Sequence, residues 1–398
     1  MKKKHPLPIT FFIVLMLYHF SMGFAHPVTP TLIVDRGLPS QWYGYAMSAV
    51  SVGGFMIAPF WGKLCGYIST KKIAMVGLIG YAAGQFIMMN AFSGVQLLVG
   101  RVVAGLLSAA SSIALLNYII NIGDEKERPR YLTFYATSGS VMNAIGYFVG
   151  GLLGMRSIET PFYVQIAICI FDTLIAVKVL EDDTEYKHRP DHPLNVREVN
   201  PFSAFMDARK YMTPLLAVFF TAYILYHIGQ ATFETVFNFY IKDHFGLGSQ
   251  YNGTIKAVIA ATSLLANMTI AMWAVKHTNI HRTITVIYAL SACAVGFSMF
   301  FYESMLPFSA MFVLYSILGI MAIPMAQNIT AEHATPETSN SLMGFFQATR
   351  SFGSIIGSFA EARLYTINIH FPFISATIMI AAGTLLSVGY SMAHKKEE

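Results

Sequence analysis

Tyr223, His227, Gln230, Glu234 and Asn238 are spaced three and four residues apart, so they share one stripe if residues 213–241 form a helix. A carboxyl, an imidazole, a phenol and two amides on one face can bind a polar ligand and pass a proton. Acyl chains offer them nothing. A weaker copy holds His19 and His26, seven residues apart and therefore about two turns from each other on one face. Asn117 and Asn328 add amides to other apolar stretches, and Arg101, Asp172 and Arg350 add charges. Placing a charge at the centre of a bilayer costs about 2.5–3.5 kcal/mol on insertion scales, so such groups face a bundle interior or a wet cavity. Burial and a neighbouring cation pull on a carboxyl's proton in opposite directions. In that setting Glu234 is expected to exchange a proton, with Arg101 favouring the ionised form and a ligand competing with the proton; a permanent structural ion pair is the rival reading. Asp172 and Arg350 read either as proton relays or as partners of each other. His19, His26 and His227 read as relays or as hydrogen-bonded core groups. Glu361 and Lys256 read as side chains near a boundary that reach out to water.

The elements carrying these residues are membrane spans. A chain of 398 residues with 55% hydrophobic and 12% charged residues has too much apolar surface for a water-soluble globule. Apolar stretches of about 20 residues, each enough for a hydrocarbon core of roughly 30 Å, fall near 8–34, 43–64, 73–91, 94–122, 131–154, 161–180, 213–241, 251–274, 283–302, 307–330, 341–365 and 371–393. Lys63, Lys71, Lys72, Lys126, Arg128, Arg130, Lys178, Arg209, Lys210, Arg282 and the lysines at both termini fall on one side, leaving Arg36, Arg156, Lys242 and Arg363 on the other. The positive-inside bias then makes both termini cytoplasmic. The net charge of +5 reports this topology and not affinity for nucleic acid. A polar stretch, 181–212, opens with Glu181-Asp182-Asp183 and carries Lys187, Arg189, Pro190, Pro193 and Arg197. It divides the chain into a bundle over 1–180, a linker and a bundle over 213–398. Cys65, Cys169 and Cys293 are too scattered for a disulfide framework or a metal site. No HExxH, GxSxG or GxxxxGK[ST] pattern occurs, so no enzyme, no cofactor and no ATP-driven step is expected.

The two bundles are related. Leu17-Tyr18-His19, fifteen residues and Asp35 recur as Leu225-Tyr226-His227, fifteen residues and Asp243. Asn117, Phe134 and Gly146 match Asn328, Phe345 and Gly357 at one constant offset. The repeat sets His26 against Glu234 and Arg101 against Phe312. Gly146, Gly150 and Gly151, like Gly353 and Gly357, form small-residue faces suited to static packing or to a sliding interface. Pro27 and Pro30 in span one and Pro324 in span ten are flexing points or fixed kinks.

Three local patterns then stand out. Gly62-Lys63-Leu64 followed by Lys71-Lys72 lies between spans two and three, Leu97-Leu98-Val99-Gly100-Arg101-Val102-Val103-Ala104-Gly105 lies in span four, and Gly146-Tyr147-Phe148-Val149-Gly150-Gly151 lies in span five. With six plus six spans and a middle loop, the chain resembles the major facilitator superfamily. The patterns are similar to its glycine-led basic motif, the arginine motif of proton-coupled members and the glycine-rich antiporter motif. Gly66 and Ser69 stand where the basic motif has its acid and second glycine, and Tyr147 where the antiporter motif has proline. The resemblance implies an all-α integral membrane fold of twelve transmembrane helices in two six-helix bundles, with spans one, four, seven and ten lining a cavity across which His26 and Glu234 face each other. It also implies gating roles for Gly62, Lys71, Lys72, Gly146, Gly150 and Gly151. The expected activity is proton-driven export of small amphipathic or drug-like compounds by alternating access, with no cofactor beyond the proton gradient. The protein is expected as a monomer in the cytoplasmic membrane, with its small-molecule substrate and the lipid bilayer as partners. A dedicated exporter of one metabolite or lipid-linked molecule is the alternative.

Overall fold

The computed structural model describes residues 4–124, 126–186, 199–333 and 339–397. Lys2 and Lys3, and Lys187, Arg189, Pro190, Pro193 and Arg197 of the expected linker, lie outside the described residues. The chain runs through α1 (Ile9–Met22), α2 (Thr29–Asp35), α3 (Gln41–Tyr67), α4 (Thr70–Met89), α5 (Gly94–Ile122), α6 (Arg128–Leu153), α7 (Glu159–Val179), α8 (Ser203–Ala208), α9 (Pro214–Asp243), α10 (Ser249–Ala266), α11 (Met272–His277), α12 (Ile280–Ser298), α13 (Met305–Glu332), α14 (Ser339–Ile367) and α15 (Phe371–Glu397). A π-helical turn over Asn267–Ala271 joins α10 to α11.

Helices predominate because lipid leaves no water to satisfy backbone N–H and C=O groups, which must pair within each span. Among the described residues, eight helical stretches are long and apolar enough to cross a membrane. The helices α3, α6 and α14, at 27, 26 and 29 residues, are as long but richer in Gly, Ser and Thr. Polar caps mark several starts. Ser93 and Gln96 form a reciprocal capping box on α5, Thr213 caps α9 ahead of Pro214, and Asn279 caps α12.

The first span departs from expectation. It is not one helix over 8–34, because α1 stops at Met22 and residues 23–28 form turns before α2 begins. Pro27 and Pro30 supply no backbone N–H, and Pro30 sits where an α-helix tolerates proline best, in the first turn of α2. Gly23, at the break, lies so close to the backbone of Asn143 and Tyr147 in α6 that a β-carbon there would collide with it. The chain thus gives up helical hydrogen bonds where a neighbouring helix presses on it.

The chain forms two compact units. One comprises Met1–Leu38, Ala49–Pro201 and Leu247–Ala257, the other Pro39–Ser48, Phe202–Gly246 and Val258–Glu398. In the first, Phe11, Leu15 and Tyr18 of α1 pack with Ile73 and Leu78 of α4 and with Leu115 and Tyr118 of α5. Small residues let α4 and α5 approach closely: a β-carbon on Gly84 would meet Ala104, and one on Gly100 would meet Met88. The second unit has an aromatic core. Phe237 of α9 stacks on Phe312 of α13 with centroids 3.6 Å apart, and Phe233, Phe308 and Phe373 close around them.

Candidate functional site

In the first unit, the break in span one organises the polar groups. Arg101 of α5, 1% exposed, donates from Nη2 to Thr29 Oγ1 at 2.6 Å, and Thr29 donates in turn to the Ala25 carbonyl at 2.7 Å. Gln165 of α7 donates from Nε2 to the Ser21 carbonyl at 2.6 Å and to the Tyr81 hydroxyl at 3.0 Å. An interrupted helix frees carbonyls and hydroxyls, and buried polar groups must then find partners among neighbours. His26 sits in the break itself, its ring parallel to that of Tyr147 with centroids 6.0 Å apart. His19 and His26 therefore do not share a continuous helical face, contrary to the seven-residue spacing argument. The ammonium of Lys256, at the start of α10, lies 5.8 Å from the centroid of the same Tyr147 ring, so Lys256 turns to the protein and does not simply reach for water. His19 is a core histidine: its Nδ1 is 3.0 Å from Ser138 Oγ, and its ring packs edge-on against Tyr135. Asn117 donates back to the Ile113 carbonyl of its own helix at 2.8 Å.

Asp172 of α7 is fully buried, and neither carboxyl oxygen has a hydrogen-bond partner among the described residues. Arg350, the other charge read as a relay or as its partner, is exposed and belongs to the second unit. Helical position placed both groups near the middle of a span but could not say which way either pointed.

The α9 stripe forms within the second unit and divides by burial. Tyr223 and His227 are buried edge to face, 4.4 Å between centroids. Asn238 is buried and donates back to the Glu234 carbonyl at 2.8 Å, so its amide serves its own helix. Gln230 and Glu234 are half-buried, and Asn328 is exposed. Arg101 and Glu234 belong to different units. Phe312, the repeat counterpart of Arg101, is committed to the aromatic stack, so the second unit carries a ring where the first carries a guanidinium.

The glycine faces pack in matching ways inside the two units. Gly146 and Gly150 of α6 lie against the Phe20 and Phe24 carbonyls, while Gly353 and Gly357 of α14 lie against His227 and Ile228 of α9. Gly151 instead rests on Ser249 and Gly253 of α10.

At the turn between α3 and α4, Lys71 donates to the Val177 carbonyl at 2.7 Å, in the last turn of α7 where a cation complements the helix dipole. Lys72 is exposed, and nothing lies within 4 Å of where a β-carbon on Gly62 would stand. The acid missing from this turn is supplied from elsewhere. Asp183, buried in a short 3₁₀ turn over Asp183–Glu185, accepts from the Thr70 backbone N–H at 2.8 Å and from Asn121 Nδ2 at 2.6 Å. It caps α4, whose own N-cap residue Ser69 makes no side-chain cap bond, and ties that helix to α5. The sequence reading missed Asp183 by treating 181–212 as linker; the signal was an acidic run with a basic turn of opposite sign elsewhere in the half. Beside it, hydrogen bonds from Thr184 hold the Asp182 carboxyl below the usual carboxylate range.

Residues 11–358 match the sequence model of the Major Facilitator Superfamily. Multidrug resistance protein 2 of Bacillus subtilis (strain 168) is 22% identical over 100% of this chain and 98% of its own length. The class C tetracycline resistance protein of Escherichia coli is 25% identical over 87% of this chain and 86% of its own. The fold is similar to that of the nucleoside transporter NupG, with a TM-score of 0.72 at 13% identity over 97% of this chain and 98% of that one. It is likewise similar to the human organic anion transporter MFSD10 (TETRAN), with a TM-score of 0.67 at 17% identity over 95% and 98%.

Proposed function

Because the chain belongs to the Major Facilitator Superfamily, and is a multi-pass membrane transporter and not an enzyme, we propose that it exports small amphipathic compounds in exchange for protons. The observation that carries this reading is Arg101, a buried guanidinium inside an apolar span, bonded to Thr29 at a break in another span. A charge so costly to place is retained where it acts on something that changes. In this reading Glu234 takes up a proton from one side of the membrane, and cargo competes with that proton. Arg101 biases the balance toward the ionised carboxylate, and His26 and Asp172 serve as relays. Tyr223, His227 and Gln230 contribute to cargo binding along the α9 stripe, and the family's multidrug, tetracycline and quinolone resistance relatives fit amphipathic cargo. The protein works as a monomer in the cytoplasmic membrane with both termini cytoplasmic, and the proton gradient drives it.

Everted membrane vesicles test this directly. Uptake of ethidium or tetracycline under an imposed pH gradient should be lost in Glu234→Gln, with the variant inserted at wild-type levels; undiminished uptake rejects the assignment. A second reading has its own support, since Arg101, His26 and Lys256 gather basic groups near Tyr147 and Thr29 in one unit. That set suits an anionic metabolite or a lipid headgroup. Loss of one secreted anion on deletion, without change in resistance to several cationic dyes, would favour it.

A further inference from the structure

Glu361 lies six residues before the end of α14, at the end of the second unit opposite the C-terminal end of α15. Its position near a span boundary predicts a side chain in water, but it is 1% exposed and Oε2 has no hydrogen-bond partner among the described residues. The group covering it is Gly44, in the first turn of α3: a β-carbon there would strike Glu361 Oε2 and crowd the Ser358 carbonyl and Ala362. Absence of a side chain on Gly44 is what lets α3 lie down on the acid.

The rest of the seam is well made. Ser48 donates to the Ile355 carbonyl at 3.1 Å, Tyr45 packs on Phe359 at 5.3 Å, and Thr235 of α9 shares a hydrogen bond with Ser358 at 3.1 Å. The titratable and charged groups nearest in sequence on the elements that meet there are Tyr43 and Tyr45 beside Gly44 on α3, Tyr240 and Asp243 at the end of α9, and Arg363 and Tyr365 on α14 itself. Each of three has another engagement. Tyr365 donates to Asp243 at 2.7 Å, Arg363 lies 5.9 Å over the Tyr45 ring, and Tyr43 stacks on Phe239. An ionised carboxylate needs donors or water around both oxygens. The closed seam gives Oε2 neither, whereas a parted seam admits water to it.

We propose that Glu361 is a proton-dependent latch on the α3–α14 seam: the seam closes over the protonated acid, and parting of α3 from α14 lets the proton pass to water and leaves the carboxylate solvated. The proposal rests on the proton-coupled reading above, to which it adds a second exchanging group at the end of the unit away from the C-terminus. It explains why an acid is sealed with Oε2 unbonded and why the residue against that oxygen is glycine.

The test uses the full chain in nanodiscs, with the three native cysteines replaced and nitroxides attached at Ser40→Cys and Asn368→Cys to report the α3–α14 separation by pulsed EPR. From mildly acidic to mildly alkaline pH, the fraction at long distance should rise several-fold. Glu361→Gln, which keeps the size and loses the titration, should stay at short distance throughout. Gly44→Ala, whose methyl group props the seam, should show the long component already at acidic pH. It also keeps the test decisive should the glutamine variant fail to fold. Asp243→Asn should retain the wild-type response. A wild-type distribution indifferent to pH, a glutamine variant that follows the wild type, a Gly44→Ala variant that stays short at acidic pH, or loss of the response in Asp243→Asn overturns the proposal. No cargo is present, so this outcome is independent of the ethidium and tetracycline assays.

Discussion

Asp183→Ala should loosen the end of the first unit that holds α4, α5 and the segment after α7. The substitution removes two hydrogen bonds to a charged acceptor, one from the Thr70 N–H at 2.8 Å and one from Asn121 at 2.6 Å. Losing a capping acceptor costs about 0.5–2 kcal/mol. A buried donor left without a partner costs about 1–3 kcal/mol, and the Thr70 N–H is such a donor because Ser69 provides no substitute cap. Since these two estimates overlap for Thr70, and Asn121 can turn to a new acceptor, the sum is about 2–4 kcal/mol. For a half of this size that corresponds to a fall of about 4–16 °C in apparent unfolding temperature. Asp183→Asn keeps one acceptor oxygen for Thr70 and should lose less than half as much. The assay is size-exclusion chromatography of detergent-solubilised protein after heating, with both variants expressed beside the wild type. An alanine variant as heat-resistant as the wild type would refute the cap, and so would an asparagine variant damaged just as much.

Other consequences follow from packing and charge. Gly146→Ala forces a methyl group into the Phe20 carbonyl, which backbone cannot easily yield, and should cost about 1–3 kcal/mol, read as reduced membrane abundance; Gly62→Ala, with nothing near, should be neutral in the same measurement. Phe312→Ala empties the stack on Phe237 and should cost about 3–5 kcal/mol, seen as a lower melting temperature with no rescue by added substrate. Asp182 is held below its ordinary range, so the Thr184 contacts stabilise at pH above that range and are lost as pH falls through the lowered value. Amide exchange at Thr184 should therefore stay slow through mildly acidic pH and quicken only in strong acid, whereas in Asp182→Asn it should show no such step.

What the sequence made readable was whatever depends on local spacing. Run length and low charge mark the helices because lipid imposes one rule on every span, and the α9 stripe follows from a period of 3.6 residues. The matched glycines were readable because duplication preserved their spacing, and they do press on α1 and α9 in matching fashion. What stayed hidden depends on contacts between distant segments. Hydropathy sees no difference between a continuous first span and one broken at Gly23, because the cause is α6 pressing from 120 residues away in sequence. Asp183 looked like the start of a linker, since its partners Thr70 and Asn121 are brought to it only by folding. Glu361 looked exposed for the same reason: depth along a helix is legible, but the covering residue, Gly44, lies more than three hundred positions earlier.

The aromatic stack at Phe312 has an evolutionary corollary. A duplicated ancestor would have inherited the same side chain at both equivalent positions, yet one copy now holds a hydrogen-bonded guanidinium and the other a stacked ring. The two equivalent positions now obey different packing rules, a directional hydrogen bond in one half and ring contact in the other. Reciprocal exchange of the two residues should therefore be tolerated by neither half, because one exchange strips Thr29 of its donor and the other puts a charge into the ring stack.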